Sequence, residues 1–338
     1  MRTSLCKIAL MLLMGTSLAL LFDSCSKDPV TPENETQNKL HEDPSKMTVC
    51  LVECHLHADW NEIQKVGGPH QNPESPARHM KRIQEITYEL KTGQGWTLAE
   101  GSQSRFYVQK NGEFTTGGKF TPAPVYLMFI YYYNAKGELM NNQFVENGQD
   151  NIHQHFFTPE NVRPTFDGQA EADDNDARTL VDYLYVDTTP WNKTKHGKEA
   201  EITGSGNPIG LKGVIRFLKD RKEFDLKIRL YHGYKSKTNP ETGTFDPFYK
   251  PSGILIQRGT WDINLSIPVV VFWNRDEYVD VEEDTNVNQI EEDGLDEKSN
   301  RTVHSIMKTF NLTWEEALEE FITYSYKAGD TEGGAIWL

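Results

Sequence analysis

The sequence predicts a mostly β fold, arranged as two tandem β-sandwich-like halves followed by a C-terminal amphipathic helix. Three observations support this prediction. The 338 residues include 16 Phe, 14 Tyr and 7 Trp, they include 25 Gly and 16 Pro, and short segments alternate apolar with polar residues. The net charge of −15 argues against a nucleic-acid-binding protein. The longest apolar run beyond the N-terminus, residues 125–133, is too short for a membrane-spanning helix.

The first 24 residues have the three parts of an export signal. Two basic residues precede an apolar stretch, residues 8–22, which ends just before Cys25. This arrangement resembles a bacterial lipoprotein signal, except at Asp23, where a small or apolar residue is commoner. The following Ser26-Lys27-Asp28 is similar to lipoproteins of the Bacteroidota. The resemblance implies a signal peptide over residues 1–24 and a chain lipid-anchored through Cys25 in the cell outer membrane, facing either the periplasm or the cell surface. The alternative is a secreted protein with an ordinary Cys25.

Residues 25–45 are predicted to be a flexible tether. Their composition of Asp, Glu, Pro, Asn, Thr and Lys offers few large apolar side chains to bury. Once Cys6 leaves with the signal and Cys25 carries lipid, the folded part keeps Cys50 and Cys54. In one extended strand these two lie about 13 Å apart, beyond the reach of a disulfide. Both are therefore predicted to be small buried hydrophobic residues.

Strand candidates separated by turns fill the central part of the chain. They are residues 47–60, 87–91, 105–109, 125–133, 152–157, 182–186, 213–217, 224–231, 254–257 and 263–273. We divide them into a first half at residues 46–165 and a second at residues 178–278, with a polar loop between. Residues 46–55 parallel residues 222–232, which suggests a duplication; a chance similarity between two strands is the alternative.

The C-terminal part is predicted to be an acidic loop, residues 279–300, followed by a helical segment, residues 301–338. Asp276 to Glu297 contains 11 carboxylates and no Lys or Arg, so its charges repel and favour solvation. The helix itself is predicted over residues 313–327, because Thr313 and Glu316 have the spacing of a capping box. Its apolar face is formed by Trp314, Leu318, Phe321, Ile322 and Ser325.

The strongest chemical signal is a pair of His-x-His triplets, His55-Leu56-His57 and His153-Gln154-His155. Side chains alternate along a strand, so the two histidines of one triplet project from the same face, about 6.5–7 Å apart. Two imidazoles at this spacing can converge on one ion with bonds of about 2.0–2.1 Å. Each triplet is therefore a candidate half of a metal site.

Carboxylates flank the first triplet. The strand alternates an apolar face with a row of metal-ligand side chains, which we predict to lie on the solvent face. The predicted ligands are His55, His57, His153 and His155, with Glu53 or Asp59 as a further ligand or as a residue that orients one. If the two strands are neighbours, these groups could hold Zn²⁺, Cu²⁺ or the iron of a haem.

Two classes of function remain open. The first is a lipoprotein that captures a transition-metal ion or haem and passes it to an outer-membrane transporter. The second is a glycan-binding or structural surface lipoprotein, in which the histidines only solvate a sheet face and exposed aromatics such as Trp191 and Tyr249 stack on sugar rings. The sequence contains no nucleophile elbow, phosphate-binding loop or His-Glu-x-x-His helix, so we expect no enzyme activity.

Replacing Cys25 by Ala tests the lipoprotein signal. In cells fed a labelled fatty acid, the Cys25→Ala protein is expected to carry no label and to leave the membrane fraction, because the cysteine sulfur is the attachment point for the lipid. Cys6→Ala changes the other cysteine of the signal and should alter neither result. Membrane retention of Cys25→Ala equal to that of the wild type would contradict the prediction.

Overall fold

Strands are the commonest regular elements of the structure. The computed structural model describes residues 38–54, 60, 83–116, 119–123, 125–166, 168–195, 198–272 and 289–322. The strands are β1 (Lys46–Cys54), β2 (Ile83–Lys91), β3 (Gly95–Leu98), β4 (Phe106–Gln109), β5 (Gly112–Thr116), β6 (Lys119–Ala123), β7 (Val125–Tyr133), β8 (His153–Pro164), β9 (Val181–Tyr185), β10 (Thr188–Thr189), β11 (Glu201–Ile202), β12 (Lys212–Phe217), β13 (Lys222–Gly233) and β14 (Gly259–Phe272). The α-helices are α1 (Ala177–Leu180), α2 (Gly253–Ile256), α3 (Glu297–Phe310) and α4 (Trp314–Ile322).

Two sheets enclose the main core. The larger has the strand order β3-β2-β1-β7-β12-β9 and the smaller the order β4-β14-β13-β8. Strand β4 joins β14 in parallel, and the other pairs in these two sheets are antiparallel. Buried apolar side chains from both sheets form one continuous cluster. The prediction of a mostly β, sandwich-like fold is confirmed.

The two predicted halves are not separate units in this arrangement. Strand β7 from the first half pairs with β12 from the second, and β8 pairs with β13. The two segments that suggested a duplication, residues 46–55 and 222–232, lie in different sheets as β1 and β13. Their likeness follows from alternation, which any strand with one buried face shares. The structure therefore does not confirm tandem halves.

One predicted strand is a helix. Residues 254–257 were expected to be extended, but Gly253–Ile256 form the single turn of α2. Ser252 caps this turn by accepting a hydrogen bond from the Leu255 N–H at 3.3 Å. The three apolar residues Ile254, Leu255 and Ile256 fit a strand and a buried helical turn equally well, so the capping serine decides.

Two helices end the described chain. Asp296 caps α3 by accepting hydrogen bonds from the N–H groups of Lys298 and Ser299, at 2.9 and 3.1 Å. The predicted capping box of α4 is present: Thr313 N–H donates to Glu316, at 2.8 Å, and Glu316 N–H donates to the Thr313 hydroxyl, at 3.2 Å. Most of the acidic loop and the predicted continuation of the helix to residue 327 lie outside the described residues.

Two further expectations concern single features of the fold. No helix of the described residues is long and apolar enough to cross a membrane. Cys50 is buried, as predicted, and burial, aided by the charge of Glu85, raises the pKa of its thiol to about 12. The side chain of Cys54 lies outside the described part of the structure.

Asp187 fixes the loop that leads into β12. Its buried carboxylate accepts hydrogen bonds from the backbone N–H groups of residues 209–212, at 2.8–3.1 Å. Burial raises the pKa of this carboxyl, although the N–H groups oppose the shift. Gly210 of the loop has a φ of +89° and lies against His155, where a side chain would meet the imidazole. The loop is therefore held close to β8.

We expect Asp187→Ala to lower the free energy of unfolding by at least about 3 kcal/mol, because it leaves several buried N–H groups without an acceptor. Asp187→Asn keeps one acceptor oxygen and should lower the free energy of unfolding by a smaller amount. Asp182→Ala removes a half-buried ion pair with Arg216 and should cost no more than about 1 kcal/mol. Urea denaturation measures all three, and equal losses for Asp187→Ala and Asp182→Ala would contradict the role of the loop.

Candidate metal centre

The second His-x-His triplet lies in the interior of the molecule. His153 and His155 begin β8, and both are fully buried. Strand β8 pairs with β13 in the register that sets His232 opposite His153. Facing partners in an antiparallel pair share one side of the sheet. The pairing therefore brings a third histidine to the predicted site.

A β-bulge adds a carboxylate to the same side. From Ile263 onward every second residue of β14 faces the core, so regular alternation would turn Asp262 outward. The pairing shifts at this point, where Tyr231 opposes Trp261. The next pair is Leu230 with Ile263, which leaves Asp262 as the extra residue of the bulge. A bulge redirects its extra side chain, and here it directs the carboxylate toward the histidines.

His41 reaches the group from outside the sheet. Residues 38–44, which we call the strap, were predicted to belong to the flexible tether. In the structure His41 and Pro44 are buried, and the His41 ring packs against Phe144 with centroids 4.6 Å apart. The composition of the strap is polar, but its one imidazole is enclosed. Two residues of the segment predicted to be a solvated tether are therefore enclosed.

Four donor atoms converge: His41 Nε2, His153 Nε2, His232 Nδ1 and Asp262 Oδ2. His41 Nε2 lies 3.2 Å from His153 Nε2, 3.3 Å from His232 Nδ1 and 3.2 Å from Asp262 Oδ2. Asp262 Oδ2 lies 3.3 Å from His153 Nε2 and 3.1 Å from His232 Nδ1. All four atoms lie within 4.8 Å of one another, so the group is close enough to hold a metal ion.

These separations match those of a coordination sphere. An ion bound tetrahedrally through bonds of 2.0–2.1 Å holds its ligand atoms about 3.3–3.4 Å apart. The five distances given above lie between 3.1 and 3.3 Å. The side chains are also withdrawn from solvent, with exposed fractions of 0% for His41 and His153, 1% for His232 and 6% for Asp262. Little rearrangement is needed for these atoms to surround an ion.

Hydrogen bonds on the far side of two rings fix their tautomers. His41 Nδ1 lies 2.8 Å from the Glu42 carbonyl, and His153 Nδ1 lies 2.8 Å from the Gln149 carbonyl. A carbonyl only accepts, so Nδ1 carries the proton and Nε2 of each neutral ring presents a lone pair. These two lone pairs face each other and the Asp262 carboxylate. Acceptors in such contact require a shared cation or added protons.

The protonation states also favour a cation. Burial lowers the pKa of His153 to about 4, although the hydrogen bond and charge of Asp262 oppose the shift. Burial raises the pKa of Asp262, but its close contacts with His153, His232 and His41 outweigh this effect and hold the pKa well below its usual range. His153 is therefore neutral and Asp262 ionised at neutral pH. These are the forms that bind metal ions.

His155 has a different role from His153. Its Nδ1 donates to the Ile209 carbonyl at 2.8 Å, and the Tyr132 hydroxyl lies 2.6 Å from its Nε2. Both ring nitrogens are therefore engaged within the core. Burial lowers the pKa of His155 to about 3 and raises that of Tyr132 well above its usual value. The structure does not bring His155 into the ligand group.

Of the first triplet and its flanking carboxylates, the structure describes only Glu53. Glu53 lies on the interior face of β1, where the Tyr126 hydroxyl donates to it at 3.1 Å, and not on the solvent face as predicted. The other face, with Cys50 and Val52, packs into a second apolar cluster. Both faces of the strand are buried, so alternation could not identify the outer one. The predicted ligands His55, His57 and Asp59 lie outside the described residues.

Sequence reasoning missed three of the four grouped residues. A signal for His232 existed, since it continues the alternating buried positions of residues 224–230. A histidine in such a row is enclosed on the core side, so its ring nitrogens need a hydrogen-bond partner or a metal ion. His41 had no local signal, because its burial depends on distant contacts. Asp262 had none either, because the bulge reverses its orientation.

Two other features carry no ligand site. The acidic trio Glu171, Asp173 and Asp174 forms ion pairs with Lys219 and Lys222, so lysines already offset most of its charge. Trp191, expected to be exposed for sugar stacking, is only 7% exposed, and Tyr249 is half-buried against the core. Trp191 therefore offers no open ring face for stacking on a sugar.

The placement of His153 and His155 predicts a contrast between two matched variants. His153→Gln should abolish most metal uptake, because it removes one of four donors. His155→Gln lies two residues away on the same face and keeps an acceptor for Tyr132, so its uptake should stay near the wild-type level. Metal analysis after dialysis measures both, and equal losses would contradict the assignment of His155 to the core.

Comparison with known proteins gave no match: no family model, no curated protein and no solved structure is significantly similar to this chain.

Proposed function

We propose that this chain is an outer-membrane lipoprotein that holds one transition-metal ion between His41, His153, His232 and Asp262 and passes it to an outer-membrane transporter. The observation that supports metal binding best is the convergence of three imidazoles and one carboxylate on a single buried point. The lipid anchor and the transporter rest on the signal that ends at Cys25.

The donor set defines the class of ion. Three imidazole nitrogens and one carboxylate oxygen suit borderline divalent ions such as Zn²⁺, Cu²⁺, Ni²⁺ and Fe²⁺. The group contains no thiolate or thioether, which a Cu⁺ site would use. Zn²⁺ fits the nearly equal separations well, because it has no geometric preference that would distort a four-coordinate sphere.

A bare ion fits better than haem. Axial ligands of a haem approach the iron from opposite faces of a porphyrin, which needs a wide slot between them. Here Asp262 Oδ2 lies 3.3 Å from His153 Nε2 and 3.1 Å from His232 Nδ1. These contacts leave no space for a macrocycle between the donors.

The enclosure of the site favours holding an ion over catalysis. Structural sites saturate the ion with protein ligands, whereas catalytic sites keep a position open to water and substrate. Four protein donors and exposed fractions of at most 6% match the closed type. We therefore propose a non-enzymatic metal-binding role.

Metal analysis of protein purified through a histidine-free tag tests the proposal. The chain is expected to contain about one transition-metal ion, to lose it to a strong chelator, and to regain it from Zn²⁺ or Co²⁺. The Co²⁺ form should show the intense visible bands of a four-coordinate site. A His153→Gln/His232→Gln double variant is the control for ions bound elsewhere. Wild-type protein with no more metal than this variant would contradict the proposal.

Metal removal should also lower stability. An ion that binds only the folded state stabilises it by about 2.7 kcal/mol when its free concentration is 100 times its dissociation constant. Thermal unfolding of the chelator-treated protein should therefore shift to higher temperature on addition of Zn²⁺. The double variant should not respond, and a wild-type midpoint insensitive to Zn²⁺ would count against specific binding.

A further inference from the structure

The four ligands are not held equally firmly. His153, His232 and Asp262 lie on β8, β13 and β14, which pair with one another along many residues. His41 lies on the strap, and no backbone-to-backbone hydrogen bond joins residues 38–44 to the rest of the described chain. Backbone pairing begins at Ser45, whose N–H donates to the Tyr133 carbonyl at 2.9 Å.

Amide side chains dock the strap instead. The Gln149 amide donates to the Asn38 carbonyl at 2.9 Å and accepts from the Leu40 N–H at 3.5 Å. The Gln143 amide accepts from the Glu42 N–H at 2.8 Å and donates to the Glu42 carboxylate at 3.2 Å. Four of the seven strap residues are exposed. Such contacts with exposed partners compete with water and hold less firmly than a strand ladder.

Gln149 links the strap to a ligand on the sheet. Its backbone carbonyl accepts the Nδ1 proton of His153 at 2.8 Å, while its buried side chain binds the backbone of the strap. One residue therefore orients a sheet ligand and docks the segment that carries His41. Removing only the side chain separates these two roles.

We infer that metal leaves this site by ligand substitution at His41: the strap undocks from Gln149, and an imidazole of the recipient protein takes the position of His41 on the ion. The inference rests on the proposed function. The sheet ligands His153, His232 and Asp262 keep hold of the ion during the exchange. One metal–nitrogen bond forms as another breaks, both imidazoles stay neutral, and no electron is transferred.

The rate of metal release tests the role of Gln149. Wild-type protein loaded with Zn²⁺ is mixed with excess chromogenic chelator, and Gln149→Ala is expected to release the ion at least about tenfold faster. This is the lower end of the roughly 10–100-fold loss of metal affinity that follows changes to groups that orient ligands. Gln154→Ala is the matched control. It removes a buried amide of β8 that binds the Asp246 carbonyl and the Tyr185 hydroxyl and touches no strap residue. Its release rate should stay within about twofold of the wild type.

Hydrogen exchange gives a readout that general destabilisation would not produce. Amides of residues 39–43 should be protected in the Zn²⁺ form and should exchange faster after chelation, whereas amides of β13 should change little. In Gln149→Ala the strap amides should exchange quickly even with Zn²⁺ bound.

External imidazole tests directly whether a new ligand can take the position of His41 on the ion. His41→Ala loaded with Co²⁺ should bind the ion more weakly, and millimolar imidazole should restore the wild-type visible spectrum. Wild-type protein should not respond to imidazole at that concentration. His153→Ala should regain less of the spectrum, because its position is enclosed by the sheet.

The outcomes separate the two proposals. Absence of bound metal in the wild type would overturn both. Bound metal with a release rate unchanged in Gln149→Ala would overturn only the inference that the strap controls release. Equal acceleration in Gln149→Ala and Gln154→Ala would overturn the same inference. Equal protection of the strap amides with and without Zn²⁺, or no response of His41→Ala to imidazole, would do the same.

Discussion

The constraint on which the site depends is the confinement of two imidazole lone pairs and a carboxylate between two sheets. Backbone carbonyls hold the Nδ1 protons of His41 and His153, so their Nε2 lone pairs face the carboxylate of Asp262. In water each group would find a donor, but all are buried here. A divalent cation would convert these repulsive contacts into bonds, and it would do so without adding a proton to His153, whose ring burial keeps neutral.

The register of the strand pairs brings these groups together. Pairing of β8 with β13 sets His153 opposite His232, and one extra residue in β14 turns Asp262 inward. A slip of one residue in either pair would move a ligand to the other side of the sheet. The loop held by Asp187 places the Ile209 carbonyl against His155, which fixes the start of β8 from its open edge. The packing of the core and the geometry of the site are therefore set by the same contacts.

Local sequence patterns correctly predicted those features that depend only on residues close together in the sequence. Alternation located most strands, the spacing of Thr313 and Glu316 predicted a capping box that forms, and the His-x-His pattern found His153. The sequence could not predict how the halves interleave, because pairing of distant strands leaves no local mark. It could not predict that Glu53 faces inward, since both faces of its strand are apolar. It also placed His41 in a solvated tether, because composition does not report the amides of Gln143 and Gln149 that bind the residues around it.

A closed site and a removable ligand are compatible in a protein that holds an ion and later releases it, as proposed above. Four buried donors make spontaneous loss slow, since leaving requires several bonds to break without replacement. Substitution at one ligand avoids that barrier, because the ion always keeps its other three bonds. This route requires that one donor belong to a segment held without backbone pairing and that the others belong to paired strands. His41 on the strap and the three ligands of the sheet divide in this way, so the difference in their backbone pairing matters more than any difference among the four donor atoms.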